Sequence, residues 1–377
     1  MNVKSWMDRI DELKIRISKA REEYFNLAPS ISDQEFDAMV DELKRLEPGA
    51  PEVTAVGAPP PKHSVWEKVR HEIPMGSLDK ANSPEELEAW RERCSSGMEG
   101  EGATTWFVTH KIDGSSMELV YRKGELVRCV TRGDGTVGED VTENVRKIPS
   151  VPGKLTVPAD VTVRGEVVMM KSVFEEKYAK GYANPRNTAA GKVREKKGGG
   201  EACRDLEFLA YRVHFDDPED VQHTMFFSMK WLDTYFKVPP YEATSVFSTI
   251  GDRHKQTVAD RDTIPYEIDG LVVSVNNMRA LEDLGESGGR PRGQIAWKFD
   301  AAMAETHVKN VRWQVGSSGR ITPVAVVSPV KIGGVTITNV SLHNLDMFRE
   351  LALFPGCRVL IARRNDVIPY VERNLDA

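Results

Sequence analysis

The sequence predicts an α+β fold in three segments, and three observations carry that prediction. The opening residues repeat apolar side chains at helical spacing, and the middle of the chain sets strand-like runs between irregular loops. The last part breaks into short strands joined by glycine-containing turns. At 377 residues the chain exceeds one ordinary core and suits two or three domains. We place the boundaries at 1–62, 63–305 and 306–377.

The first segment reads as a helical hairpin. Trp6, Ile10, Leu13, Ile17 and Tyr24 fall on one helical face. Ser32-Asp33-Gln34-Glu35 has the spacing of a capping box, after which Phe36, Met39, Val40, Leu43 and Leu46 form the apolar face of a second helix. Pro48-Gly49 ends that helix. Pro51, Pro59, Pro60 and Pro61 make the next stretch a linker by composition.

In the middle segment, Ser83-Pro84-Glu85-Glu86 marks a helix start, with a capping serine and proline at the first helical position. Strands are expected over 104–112 and 115–132, the latter folding back at Arg122-Lys123-Gly124-Glu125. Further strands are expected at Val161–Met170, Leu206–Phe215, Ile268–Val275 and Gln294–Phe299, all rich in β-branched or aromatic residues. In the last segment Thr322–Val330, Gly334–Val340 and Arg358–Arg364 fit a small β-barrel, for which an OB-fold is the natural model.

With 40% hydrophobic and 29% charged residues, the composition is that of a soluble globular protein. No apolar run approaches the roughly 20 residues of a membrane span, and the N-terminus lacks the apolar core of a secretory signal. The expectation is a cytoplasmic protein with no membrane partner. Cys94, Cys129, Cys203 and Cys357 are scattered without a C-x-x-C pair, so neither zinc nor a disulfide frame is expected. The net charge is −6, yet residues 308–377 carry nine Lys and Arg against five Asp and Glu. A basic C-terminal module on an acidic body gives that asymmetry; so does an ordinary solvated surface.

Chemistry enters at His110-Lys111-Ile112-Asp113-Gly114. A lysine attacks phosphorus only as the neutral amine, which needs nearby cations or desolvation. Asp113 would share its side of a strand, and Gly114 permits a tight exit. A charged strand end would look the same, so the motif needs company. Thr131-Arg132-Gly133-Asp134-Gly135 sets an arginine beside a turn open to a nucleotide. Val163-Arg164-Gly165-Glu166 places a carboxylate on a strand, and Pro265-Tyr266-Glu267-Ile268-Asp269-Gly270 is another acidic strand start. Ala296-Trp297-Lys298-Phe299 puts a lysine in an apolar strand, where an unpaired ammonium would be costly.

In this order the motifs resemble the covalent nucleotidyltransferases, and most closely the bacterial NAD⁺-dependent DNA ligases. The resemblance covers nearly the whole chain. It includes Arg70-His71-Glu72-Ile73-Pro74-Met75 with Ser77-Leu78-Asp79, and Asn184-Pro185-Arg186-Asn187 with Arg194. It continues through Ile321-Thr322-Pro323 and Val340-Ser341-Leu342-His343-Asn344 to Asp366-Val367-Ile368-Pro369. It implies a helical module binding nicotinamide mononucleotide, an adenylation (nucleotidyltransferase) domain of antiparallel sheets and helices, and a C-terminal OB-fold. It further implies an NAD⁺- and Mg²⁺- (or Mn²⁺-) dependent enzyme that forms a lysyl-AMP on Lys111 and seals nicked duplex DNA, acting as a monomer. By the same resemblance Glu166 binds the ribose, Arg132 the nucleotide, Ser77 and Leu78 the adenosine, and Lys298 the phosphate. Arg194 and Arg261 match nucleotide-binding positions, while Arg186, Arg363 and Arg364 match nucleic-acid contacts. Tyr24, Asp33, Phe36 and Asp37 fall on the nicotinamide mononucleotide motif.

Several positions depart from that pattern. The resemblance implies an acidic adenine contact beside Lys111, and His110 stands there. It implies a lysine at the end of Leu271-Val272-Val273-Ser274, where Ser274 stands. Glu23 and Phe36 replace expected tyrosines. Lys192 replaces a small residue, so we ask whether it supplies the cation missing at 274; a solvent-facing lysine is the simpler reading. The zinc, helix-hairpin-helix and BRCT modules of the family are not in this sequence, as expected of a compact form or of a shortened one. Three readings follow: a ligase for nicked DNA, the same chemistry on RNA or another polynucleotide, and a binding protein that no longer ligates.

Overall fold

The computed structural model describes residues 3–26, 31, 33–55, 57–61, 64–98, 104–182, 184–217, 223–299, 302–315, 321–332, 335–342, 345–364 and 368–377. The chain divides into two compact units, Met1–Ser30 with Val40–Phe299 and Ile31–Met39 with Asp300–Ala377.

Helices α1 (Val3–Asn26) and α2 (Asp33–Leu46) are the predicted pair. Ile10, Leu13 and Ile17 are buried at their helical spacing, while Arg9–Glu42 (2.7 Å) and Lys14–Glu47 (2.7 Å) join the two helices across their polar margins. The side chains of Trp6, Tyr24, Asp33 and Glu35, and the whole of Ser32, lie outside the described residues. The proline-rich stretch that follows is not a free linker. Pro51 opens a short helix, α3 (Pro51–Thr54), and Ala50, Val53 and Ala58 are buried. The small apolar residues among the prolines pack, and Ala58 N–H donates to the carbonyl of Gly133 (3.2 Å). Proline at the first turn of α3 loses no helical hydrogen bond.

The next elements are β1 (Lys68–Arg70), β2 (Asp79–Ala81), α4 (Pro84–Gly97), β3 (Trp106–Ile112), β4 (Ser115–Arg122), β5 (Glu125–Thr131), β6 (Val137–Glu139) and α5 (Thr142–Val145). They continue through β7 (Val161–Met169), α6 (Lys171–Val173), α7 (Pro185–Val193), β8 (Leu206–Phe215), α8 (Met225–Tyr235), β9 (Tyr241–Thr244) and α9 (Thr249–Asp260). β10 (Ile268–Val275), α10 (Met278–Leu284), β11 (Glu286–Ser287), β12 (Arg290–Pro291) and β13 (Gln294–Lys298) complete the series. Ser83 caps α4 as its sequence predicts, accepting from Glu86 N–H. The predicted reversal between β4 and β5 is present, with Lys123 at φ 50° and Gly124 at φ 77°.

Two sheets carry this unit, one of strand order β2-β13-β10-β3-β9 and one of order β5-β4-β7-β8. All pairs are antiparallel except β13 with β2. Each sheet has one apolar face. On the first, Trp106, Val108, Leu271, Val273, Ile295 and Trp297 pack under α4. On the second, Met117, Leu119, Val163, Val167 and Phe208 form the main core. By the alternation of strand side chains, the opposite faces are free to carry polar groups.

The second unit contains β14 (Ala302–Val315), β15 (Ile321–Ile332), β16 (Val335–Ser341), α11 (Leu345–Glu350), β17 (Arg358–Arg364) and β18 (Ile368–Asn374). The strands pair antiparallel in the order β16-β15-β14-β17-β18 around Val308, Ala325, Val327, Val359, Ile361 and Val371. β14 was not expected. Its run Glu305-Thr306-His307-Val308-Lys309 is polar on alternate positions and lacks the density of β-branched residues that marks the other strands. No helix of the described residues is long and apolar enough to cross a membrane. The four cysteines are buried and free.

Candidate active site

Lys111 lies at the end of β3, Gly270 near the start of β10 and Lys298 at the end of β13. The registers pair Gly270 with Lys111 on one side and with Lys298 on the other, so the three form one row across the sheet. Glycine in the centre is required by contact. A Cβ at Gly270 would sit 2.3 Å from the Trp297 carbonyl oxygen and 2.9 Å from the Lys298 Cα. A shift of register at Ile268–Gly270 turns Asp269 toward the lysines. Its carboxylate takes Lys111 Nζ at 2.7 and 2.6 Å. Burial would raise the Asp269 carboxyl, but the charges of Lys111 and Lys298, with Arg186, outweigh it and hold it below the usual range. Asp113 N–H donates to the Glu267 carbonyl (2.9 Å) and its Oδ1 accepts from Arg186 (2.7 Å). Arg186 reaches it from the first turn of α7, where Asn184 caps the helix by accepting from Asn187 N–H and Pro185 takes the first helical position.

The polar face of the second sheet completes the site. Ser116 of β4 and Glu166 of β7 are paired in register, and Ser116 Oγ donates to Glu166 Oε1 (2.7 Å). Glu166 Oε2 is buried and has no hydrogen-bond partner among the described residues. Burial pushes the Glu166 carboxyl up to about 7, against the Ser116 hydrogen bond and the charges of Arg186, Arg132 and Lys111. Burial also raises the Tyr211 phenol, helped by the charge of Glu166.

A loop from His71 to Leu78 is tied across this face. His71 N–H donates to Thr136 O and Met75 N–H to Gly135 O. Arg164 donates to Ile73 O, and Arg132 to Gly76 O (3.1 Å). The Glu118 carboxylate lies 2.9 Å from His71 Nδ1 and 3.2 Å from Arg164. Ser77 and Leu78, half-buried, are thus held by the same strands that carry Arg132 and Glu166. The turn under Arg132 needs its glycines: Gly133 is at φ 56° and a Cβ there would meet Val137 O at 1.8 Å.

Not every expected residue joins this group. His110 follows the strand alternation away from Lys111, pairs with Leu271 and lies 3.1 Å from the Tyr266 hydroxyl. Burial, with the charge of Arg253, pushes it down to about 4. The residue sharing the face of Lys111 is Thr109, so an adenine contact at His110 has no support in the geometry. Arg194 is engaged with Glu139 (2.8 Å) beyond the end of α7. Arg261 donates to Ile268 O (2.7 Å) and lies over the Phe299 ring, bracing the start of β10. Lys192 is not solvent-facing, its side chain being 12% exposed. It pairs with Glu195 at 3.0 Å and lies over the rings of Tyr178 and Tyr182. Ser274 is fully buried, and its Oγ accepts from Gln294 Nε2 (2.8 Å). Phe36 and Asp37 are partly buried on the first turns of α2, in the other compact unit. The side chains of Tyr24, Asp33, Arg363 and Arg364, and residues His343, Asn344, Asp366 and Val367, lie outside the described residues. Ser116 and Tyr211 were missed as site residues, and Asp269 and Gly270, singled out only as an acidic strand start, were given no role, because only the strand register brings them to Lys111 and Glu166.

Residues 63–302 match the model of the NAD-dependent DNA ligase adenylation domain, and residues 305–377 that of the NAD-dependent DNA ligase OB-fold domain. Residues 3–62 match the N-terminal NAD⁺-binding domain of DNA ligase-like proteins. Among curated proteins, the DNA ligase of Sorangium cellulosum is 38% identical over 97% of this chain and 56% of its own length. That of Marinobacter nauticus is 38% identical over 96% of this chain and 56% of its own. That of Thermomicrobium roseum is 39% identical over 96% and 55%. The chain therefore spans little more than half the length of these relatives.

Proposed function

The chain belongs to the NAD-dependent DNA ligase family, and from that premise we propose that it adenylylates itself from NAD⁺ on Lys111 and seals nicks in duplex DNA. The observation that best supports this reading is the row Lys111–Gly270–Lys298, with Asp269 turned into it, beside a buried Glu166 oxygen that lacks a partner.

In the first step Lys111 Nζ attacks the adenylyl phosphorus of NAD⁺. The phosphoanhydride P–O bond breaks, nicotinamide mononucleotide leaves with the electron pair, and the amine gives up its proton. The ion pair with Asp269 must open for the lone pair to point at phosphorus, so Asp269 holds the nucleophile in place until substrate displaces it. Lys298 pairs in register with Gly270, and in this proposal it neutralises charge on the phosphate. Glu166 Oε2 accepts a ribose hydroxyl, and Ser77, Leu78 and Arg132 line the nucleoside. The AMP then passes to a 5′-phosphate, freeing Lys111, and the adjoining 3′-hydroxyl displaces AMP to close the nick. Arg186, Arg363 and Arg364 serve the polynucleotide, and Tyr24, Asp33, Phe36 and Asp37 the nicotinamide mononucleotide. Asp113, Asp269 and Glu166 are engaged by Arg186, Lys111 and Ser116. They form no ready cage, so a Mg²⁺ ion would enter with the substrate phosphates.

A second reading, sealing of RNA or another polynucleotide, starts from the uncharged Ser274–Gln294 pair, which departs from the lysine of the ligase pattern. Incubation with adenine-labelled NAD⁺ or ATP and Mg²⁺ tests the first step. No adduct from NAD⁺ overturns the proposal, and an adduct that survives Lys111→Ala overturns the site. Nicked DNA, nicked RNA and hybrids then separate the two substrates.

A further inference from the structure

Arg212 is an unexplained cation on the polar face of the second sheet. The registers set Glu118, Arg164 and Arg212 in one row across β4, β7 and β8, immediately beyond the row of Ser116 and Glu166. In that row Arg164 is neutralised by Glu118. Among the described residues Arg212 has no such partner: its one hydrogen-bond contact there is the Met225 thioether, with Nη1 at 2.8 Å from Sδ. A thioether is a weak acceptor for a guanidinium. Glu282 of α10 attracts Arg212 through space without a hydrogen bond, while Arg164 repels it. Burial and Arg164 together push the Arg212 guanidinium down to about 10. A half-buried cation in this condition destabilises the free protein, and such a group calls for an explanation, of which a bound ligand is one.

The row also has the right place. β4 leaves the Lys111 turn at Ser115, so successive rows step away from the nucleophile. Two strand residues advance about 6.6 Å, the step from a ribose at Glu166 to the base attached to it. Met225, against which Arg212 lies, donates its N–H to Asn276 O (2.8 Å), two residues beyond Ser274. That end of β10 carries the neutral Ser274–Gln294 pair, and Arg212 is the one arginine or lysine of β8.

We propose that Arg212 is a base-recognition residue of the nucleotide site, donating hydrogen bonds to the acceptor ring nitrogens of the adenine. The inference rests on the adenylate site proposed above. A guanidinium only donates, and adenine offers three ring nitrogens as acceptors, so the two are complementary.

The test uses the whole chain, calorimetric binding of AMP and thermal unfolding without nucleotide, on wild type, Arg212→Met and Arg212→Lys. Loss of a charged hydrogen bond predicts AMP binding weakened about 10-fold to 100-fold in Arg212→Met, with Arg212→Lys between the two. Removal of the unneutralised cation predicts that free Arg212→Met unfolds at a higher temperature than wild type. A merely structural arginine gives the opposite pattern, a lower Tm with AMP affinity unchanged, and that result overturns the inference. Affinity within twofold of wild type also overturns it. If wild type binds AMP normally yet forms no adduct from NAD⁺, the ligase reading fails while the assignment of Arg212 stands.

Discussion

Gly270→Ala gives the sharpest test of the lysine row. The substituted methyl would lie 2.3 Å from the Trp297 carbonyl oxygen and 2.9 Å from the Lys298 Cα, both backbone atoms that no rotamer change can move. A relaxed C···O contact is about 3.3 Å, so β10 and β13 must part by about 1 Å at this point. Overpacking of this kind costs about 1–3 kcal/mol, which should lower the Tm of a chain this size by several degrees. The function should suffer more than the fold. The displaced strand carries Lys298, and a misplacement of about 1 Å at a catalytic group slows reaction by on the order of 100-fold. Single-turnover formation of the labelled adduct from saturating NAD⁺ is the assay, with circular dichroism to establish folding. An adduct rate within threefold of wild type in a folded Gly270→Ala protein would refute the claim that Gly270 spaces the two lysines. Lys298→Ala in parallel sets the floor against which the loss is judged.

Other outcomes follow from the same site. Asp269→Asn removes the bidentate partner of Lys111 and should slow adduct formation at saturating NAD⁺ while leaving AMP binding within a few-fold; unchanged rates at every pH would show that Asp269 does not hold the nucleophile. Glu166 titrates near 7 in the free protein, above the usual carboxylate, so its folded form favours the proton. Stability should therefore fall as pH rises from about 4.5 through about 7, by about 3 kcal/mol at most. Nucleotide binding, which needs the charged oxygen, should tighten over the same rise. Glu166→Gln should flatten both profiles, and a variant that keeps the wild-type slopes would assign them elsewhere. Asn184→Ala removes the cap of α7 and should cost about 1 kcal/mol in urea unfolding; an unchanged midpoint would mean the cap contributes nothing.

Much of this fold was legible because its periodicities are local. Leu206–Phe215 and Ile268–Val275 are strands to the residue, since β-branched runs bounded by turn residues report directly on extended backbone. The proline-rich stretch after α2 misled because composition says nothing of packing, and Ala50, Val53 and Ala58 are too small to advertise a core. β14 escaped because its outward positions are charged. The site was half legible. Lys111, Arg132, Glu166 and Lys298 stand out by residue type and motif, whereas the direction of His110 depends on strand parity and the role of Gly270 on pairing between strands distant in sequence. The immediate sequence around Lys192 does not reveal the aromatic rings of Tyr178 and Tyr182, which with Glu195 capture it.

The register shift opposite Arg164 and Gly165 leaves Tyr211 as an extra residue in β8. In a regular strand, consecutive side chains alternate faces; the extra residue lets Tyr211 and Arg212 address the same side. Tyr211 is half-buried, packs against the cluster that includes Leu209, Tyr266 and Ile268, and feels the charge of Glu166. Arg212 itself returns to register opposite Arg164, so the irregularity is confined to one residue and sets two neighbouring side chains, one aromatic and one cationic, on one side of an edge strand.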